Sequence, residues 1–229
     1  MSDAEKAVTI SSEEDEAAQS IAETGEDTPT LVYPFIPLKN VVVFPRVPIK
    51  LVIGSRSQMA LEEAQARYDS RIVVAAQRER DQVPEGSPYI NELYAVGTLV
   101  EVTNVQKQGE GNASTEISVE GICRVRIDNF RTATSHPNRI QLVEVHKLEE
   151  VGGVVTPEVE STMRHTTELY TQLSTLSNRV GSDSVDQANS FKRPGPLADY
   201  VAAHIPKVAP STTVPDKQLI LEELDQFQR

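Results

Sequence analysis

Ile117-Ser-Val-Glu-Gly-Ile-Cys-Arg-Val-Arg-Ile127 alternates: Ile117, Val119, Cys123, Val125 and Ile127 fall on one parity, Ser118, Glu120, Arg124 and Arg126 on the other. Successive side chains of a strand point to opposite faces, so this run reads as a strand with one buried and one wet face. Gly121 stands on the apolar parity, where its missing side chain permits a bend; the run either curves around a barrel or splits in two. Gly109-Glu-Gly-Asn112 reads as the hairpin tip joining it to Thr98–Gln106. Within Leu93–Gln106, Val100 and Val102 share a face and Val105 breaks the parity, which predicts a bulge or twist.

Working outward, Leu31–Leu38 contains Pro34 and Pro37 and is expected as an edge strand or an extended arm, since proline donates no ladder hydrogen bond. Val41–Phe44 and Val47–Ile53 read as further strands, hinged at an exposed Phe44-Pro-Arg-Val-Pro48. Gly54-Ser-Arg-Ser57 opens a helix carrying Met59, Leu61 and Ala64, with Glu62 and Glu63 near its start to complement the helix dipole. It lacks the Gly-Lys-Ser/Thr ending of a phosphate-binding loop and reads as a cap. Ile72–Ala76 is a short apolar run fit for a buried strand.

Past Val151-Gly-Gly153 the period changes from two to about 3.6. Val159, Met163, Thr166, Tyr170, Leu173 and Leu176 share a helical face, with Thr156 as N-cap and Pro157 at the first helical position. A second helix is expected over Leu197–His204, and a third from Pro215 with Ile220, Leu224 and Phe227 on one side, running to Arg229 without a capping glycine. The organisation predicted is α+β: a leader at 1–30, a β-rich unit at 31–150 and a helical unit at 151–229.

The net charge of −12 is uneven. Residues 1–30 hold Asp3, Glu5, Glu13, Glu14, Asp15, Glu16, Glu23, Glu26 and Asp27 against Lys6, leaving about −4 on the body. With almost no large apolar side chains, that leader is expected to be disordered. The acidic balance argues against nucleic acid, which calls for clustered Lys and Arg. One cysteine gives no internal disulfide, no apolar run nears the ~20 residues that cross a bilayer, and Met1-Ser-Asp-Ala-Glu5 has no secretory character. The expected compartment is the cytoplasm, without membrane partners.

Catalytic and metal-binding patterns find no support. His136, His146, His165 and His204 are scattered, and His204 reads as a packed histidine bonded to backbone. Cys123 belongs to the alternating apolar series and reads as an inert thiol; no Ser-x-x-Lys and no Gly-x-Ser-x-Gly occurs. Asp183 and Asp186 solvate or cap a short helix.

Several stretches, in order, resemble the N-terminal domain of ATP-dependent Lon proteases: Phe35-Ile-Pro-Leu-Lys-Asn-Val-Val-Val-Phe-Pro45, Pro48–Gly54, Ile72–Gln77, Leu93–Thr98, Val119–Ile127, Leu197–Pro206 and Asp216–Asp225. Stand-alone and cereblon-like proteins resemble the β-rich half alone, so the last two stretches favour Lon. The resemblance implies a pseudo-barrel of strands with one helix, then a helical bundle. It implies a parent that is a homohexameric serine endopeptidase using ATP and magnesium, and a fragment that is a monomer or weak oligomer with no cofactor and no turnover of its own. The implied role is recognition of unfolded or misfolded proteins. The expected contacts lie in proline-fixed loops: Tyr33, Phe35, Phe44, Pro45, Arg46 and Val47. The same residues also suit closing the end of the sheet. A stand-alone adaptor with one folded partner is the alternative function, an unrecognised hydrolase a third.

Overall fold

The computed structural model describes residues 30–78, 89–108, 114–132, 140–177, 180–205 and 214–229. The leader, the tip at 109–112 and His136 lie outside them. Strand β5, Ser114–Thr132, organises the sheet. Its first half pairs antiparallel with β2 (Pro48–Gly54), its second half with β6 (Gln141–Lys147), and most of its length with β4 (Val96–Gln108). The remaining neighbours are β3 (Arg71–Ala76) and β1 (Leu31–Leu38), giving the order β2-β5-β4-β3-β1-β6 with β6 returning to β5. The sheet therefore closes on itself, the pseudo-barrel the sequence implied, and β5 runs through Gly121 as one curved strand.

Gly121 bends where another segment crosses. Pro45 bridges it, the Arg46 N–H donates to its carbonyl at 2.7 Å, and a Cβ there would meet the Phe44 carbonyl and lie 2.8 Å from Pro45 Cα. Irregular pairing in β4 falls between Leu99 and Val100 and between Val102 and Asn104, just ahead of the parity break at Val105.

The fold corrects several expectations. β1 is no edge strand: residues 31–34 pair with β6 and 35–38 with β3, two staggered ladders in which each proline faces a partner on one side only. Val41–Phe44 joins no ladder, yet Val42, Val43 and Phe44 are buried, and Thr98 Oγ1 donates to the Val43 carbonyl at 2.6 Å. The hinge after it is buried at Phe44, Pro45 and Val47 because it lies under the helices described below. Helix α1 spans Ser55–Arg67, capped by the Gly54 backbone with no side-chain hydrogen bond, and its first turn holds no acid. Glu63 instead is buried on the second turn, 3.2 Å from Arg67.

Four helices follow. α2, Pro157–Leu176, starts as the sequence predicts, with Thr156 Oγ1 accepting from the Val159 N–H. α3 is Ser182–Ser190, α4 Pro194–His204 and α5 Val214–Glu222. Tyr170, Ser184 and Tyr200 join α2, α3 and α4 through hydroxyl contacts of 2.7 and 3.1 Å. His204 Nδ1 donates to the Tyr200 carbonyl at 2.7 Å, the packed histidine expected. α5 stops at Glu222 rather than continuing: Leu224 and Phe227 lie on a return segment whose Asp225 bridges Val151. This return begins where Val151 N–H donates to Leu224 O and Gln226 N–H to Val151 O. No helix among the described residues is long and apolar enough to cross a membrane.

Two apolar clusters fill the barrel and line its wall, around Ile36, Ile72, Val74, Val100 and Ile117, and around Phe35, Val73, Val125 and Val143. A third joins sheet to helices: Val42, Phe44, Val47, Ala76 and Tyr94 against Ala202, Val214 and Leu221.

Candidate functional site

Arg124, expected on the wet face of β5, has a side chain with no exposure at all, because α4, α5 and the return segment cover that face. Its guanidinium meets Asp199 of α4 twice, Nη1 to Oδ2 at 3.0 Å and Nη2 to Oδ1 at 2.6 Å, a fork geometry suited to arginine. Nε donates to the Leu221 carbonyl at 2.8 Å, and Nη1 also reaches Glu150 Oε1 at 2.5 Å. Arg229 joins from the return segment, its Nη1 3.3 Å from Glu150 and from both Asp199 oxygens, its Nε donating to the Glu223 carbonyl at 2.9 Å. Arg46 and Gln226 complete the shell of Glu150, each at 3.2 Å. Burial works to raise the Glu150 carboxyl pKa, but Arg124, Arg46 and Arg229 hold it below the ordinary range. For Asp199 burial prevails over the arginines and pushes the carboxyl up. This constellation has no nucleophile and cannot transfer a proton to anything outside; its chemistry is to bolt sheet and helices together.

The face available to a ligand lies beside it. α2 spans twenty residues yet buries only Tyr170. Leu169 and Leu176 are exposed. Its hydroxyls at Thr162, Thr166 and Thr171 donate back to carbonyls four residues earlier, so the helix satisfies itself without a partner. Between α2 and the pair α4/α5 runs a groove of about 300 Å³. Val159, Met163 and Thr166 form one wall, Leu197, Val201 and Ile205 the other, with Ile220 and Phe227 at one end. Glu158 stands on the lip and Arg229 in the wall.

Of the six residues expected at a contact site, Phe35, Phe44, Pro45 and Val47 are buried. Phe35 packs edge-on against Phe130, centroids 5.3 Å apart, and Phe44 and Val47 belong to the cluster under α4 and α5. Their exposure was the expectation that fails; apolar loop residues beside a curved strand are worth more as filling than as bait. Tyr33 is half-buried against Tyr68, and Arg46 is half-exposed at φ 60°. Cys123 is partly buried, and burial raises its thiol pKa above the ordinary value. Among the described residues no cluster of three or more His, Cys, Asp or Glu could hold a metal.

Residues 32–229 match the family model described as the ATP-dependent protease La (LON) substrate-binding domain. The chain belongs to this family. It is similar to the Lon protease of Desulforamulus reducens, 32% identical over 193 residues, and to that of Escherichia coli strain K12, 29% identical over 198. These alignments take in 84% and 86% of the chain but 22% and 23% of those relatives, so the chain spans less than a quarter of their length. Among solved structures, the N-terminal domain of a Mycobacterium avium complex Lon protease superposes with a TM-score of 0.61 at 18% identity, covering 83% of this chain and 90% of that one. The Lon N-terminal domain protein from Xanthomonas campestris gives 0.54 at 19%, covering 86% and 92%. Both bear on fold alone and agree with the α+β architecture.

Within the Lon family match, Leu197–Pro206 and Asp216–Asp225, the stretches that favoured Lon over its β-rich relatives, supply α4, α5 and the turn after them. Asp199 and Leu221 sit in them, the partners of Arg124. One signal for the junction stood in the sequence unread: Asp199 lies in Leu197-Ala-Asp-Tyr-Val-Ala-Ala203, and a carboxylate amid apolar helical neighbours calls for a buried cation.

Proposed function

We propose that this Lon-family chain holds unfolded or damaged polypeptides and passes them to the ATPase and peptidase domains of a parent protease, a homohexamer driven by ATP and magnesium. The observation that carries the reading is the half-open apolar groove between α2 and α4/α5, in a domain of a family described as substrate-binding. Exposed apolar segments are what distinguish an unfolded chain from a folded one. The division into leader, β-rich unit and helical unit belongs to this proposal, with the helical unit presenting the client face. Tyr33 and Arg46, which keep exposed surface, are accessory contacts.

Burying some 300 to 500 Å² of apolar surface contributes about 7 to 12 kcal/mol. Lost translational and rotational freedom costs about 4 to 15 kcal/mol, so a single site is expected to bind at micromolar levels or weaker. Several copies in a hexamer then raise the effective concentration of the client. The test is a titration of a dye-labelled protein, urea-unfolded and diluted, into the purified chain at low and high salt, beside the same protein native. Weak, salt-tolerant binding of the unfolded form alone is expected. Equal binding of both forms, or nanomolar binding that collapses in salt, overturns the proposal.

A further inference from the structure

The groove contains a polar feature that apolar capture alone leaves unexplained. Arg229 lines its wall, and the side chain has no exposed surface. Nε is committed to the Glu223 carbonyl and Nη1 to Glu150 and Asp199, whereas Nη2 is buried with no hydrogen-bond partner. An unmet buried donor of this kind costs ~1 to 3 kcal/mol, more when charged, so it marks a place where an acceptor is wanted.

Charge decides which acceptor. The two fully buried guanidiniums, Arg124 and Arg229, already face two carboxylates, Glu150 and Asp199. The third cation on Glu150, Arg46, is half-exposed and screened by water. A further carboxylate would leave the cluster with excess negative charge in a poorly solvated place, and Glu158 on the lip adds repulsion. A neutral oxygen incurs neither penalty. In a polypeptide that oxygen is a main-chain carbonyl, which every segment carries regardless of sequence.

Resting on the capture role proposed above, we infer that the groove takes a short, uncharged, apolar segment of a client polypeptide, seating aliphatic or aromatic side chains against Val159, Met163, Val201 and Phe227 while Arg229 Nη2 donates to a main-chain carbonyl of that segment. At about 300 Å³ the groove stands at the small end of ligand pockets, which run from ~300 to 1,000 Å³, so it admits a few side chains and not a folded face. The same charge argument excludes the chain's own acidic leader as its occupant. Client choice at this groove is set by the absence of carboxylates as much as by hydrophobicity.

The experiment follows fluorescence anisotropy of two labelled, end-blocked peptides on the full chain. One is a decapeptide of Leu, Phe, Ser and Gly without charged side chains; the other is the chain's own segment Ala7–Ala18, which carries Glu13, Glu14, Asp15 and Glu16. The uncharged probe should bind at least about tenfold more tightly than the leader peptide, a difference of roughly 1.4 kcal/mol. Val159→Arg, at a partly exposed position on the groove wall, should weaken the uncharged probe by about tenfold or more. Arg229→Lys keeps the charge but removes Nη2, and should weaken it several-fold while the urea midpoint verifies folding. Unchanged binding to Val159→Arg, with the wild-type chain still binding the probe, overturns the groove assignment and leaves the capture role standing. Equal or tighter binding of Ala7–Ala18 overturns the charge argument. Failure of the wild-type chain to bind both the probe and unfolded protein overturns the two proposals together.

Discussion

Replacing Arg124 by Met removes the cation that faces Asp199 and Glu150 and the donor to the Leu221 carbonyl, while keeping an unbranched apolar stem of similar reach. Asp199, with no exposed side-chain surface, is then left with Arg229 at 3.3 Å on both oxygens in place of a two-nitrogen fork. Breaking a buried ion pair on one side typically costs about 3 to 5 kcal/mol, because the remaining charge is desolvated without compensation. Asp199→Leu should cost a similar amount for the mirror reason. The double variant leaves Glu150 matched with Arg229 and replaces the fork by apolar contact, so it should recover most of the loss and lie within about 2 kcal/mol of wild type. Urea unfolding followed by circular dichroism gives all four corners of the cycle; the chain has no Trp, so tyrosine emission serves as the second probe. Additive single costs, or a loss under about 1 kcal/mol for Arg124→Met, would refute the claim that this junction is a coupled, desolvated unit.

The Glu150 carboxyl is held below the ordinary range in the folded state, so its contribution is complete above the unfolded value of about 4.3 and disappears as pH falls through the folded one; urea midpoints taken from about pH 7 down to pH 3 should show a shallower acid loss in Glu150→Gln. Gly121→Ala drives a methyl into the Phe44 carbonyl and should cost about 2 kcal/mol or more, whereas Gly54→Ala, with nothing within 4 Å, should cost under about 1 kcal/mol by the same thermal melt. Thr156→Ala removes the cap of α2 and should cost roughly 0.5 to 1 kcal/mol, at the low end because the bond is exposed and 3.4 Å long; faster amide exchange confined to the first turn of α2 is the accompanying readout.

The parts of the fold legible in sequence were those with a period. The alternation through Ile117–Ile127, the apolar run at Ile72–Ala76 and the Thr156-Pro157 start of α2 each carry a local cause, and each stands as read. What failed depended on distant cover. Arg124 obeys the parity of a wet position, and only α4 and the return segment, 75 residues and more along the chain, make it dry. Phe44 and Val47 looked exposed between prolines because the helices that bury them are equally remote. β1 looked like an edge because the prolines exclude two-sided pairing, which it avoids by splitting its length between neighbours. The groove was half legible: Val159 and Met163 were seen as a helical face, but an apolar face reads the same whether its partner covers it fully or leaves a gap.

The bridge between Val151 and Asp225 turns the whole helical region into a loop tied at its neck. In polymer terms, closing such a loop costs an entropy that rises only with the logarithm of its length, about 0.6 kcal/mol for each doubling. The barrel therefore fixes where the excursion leaves and where it returns, and is nearly indifferent to how much chain lies between. Helices can be lengthened or replaced inside the neck at small cost to the barrel, and the client face can change shape while its foundation stays as it is.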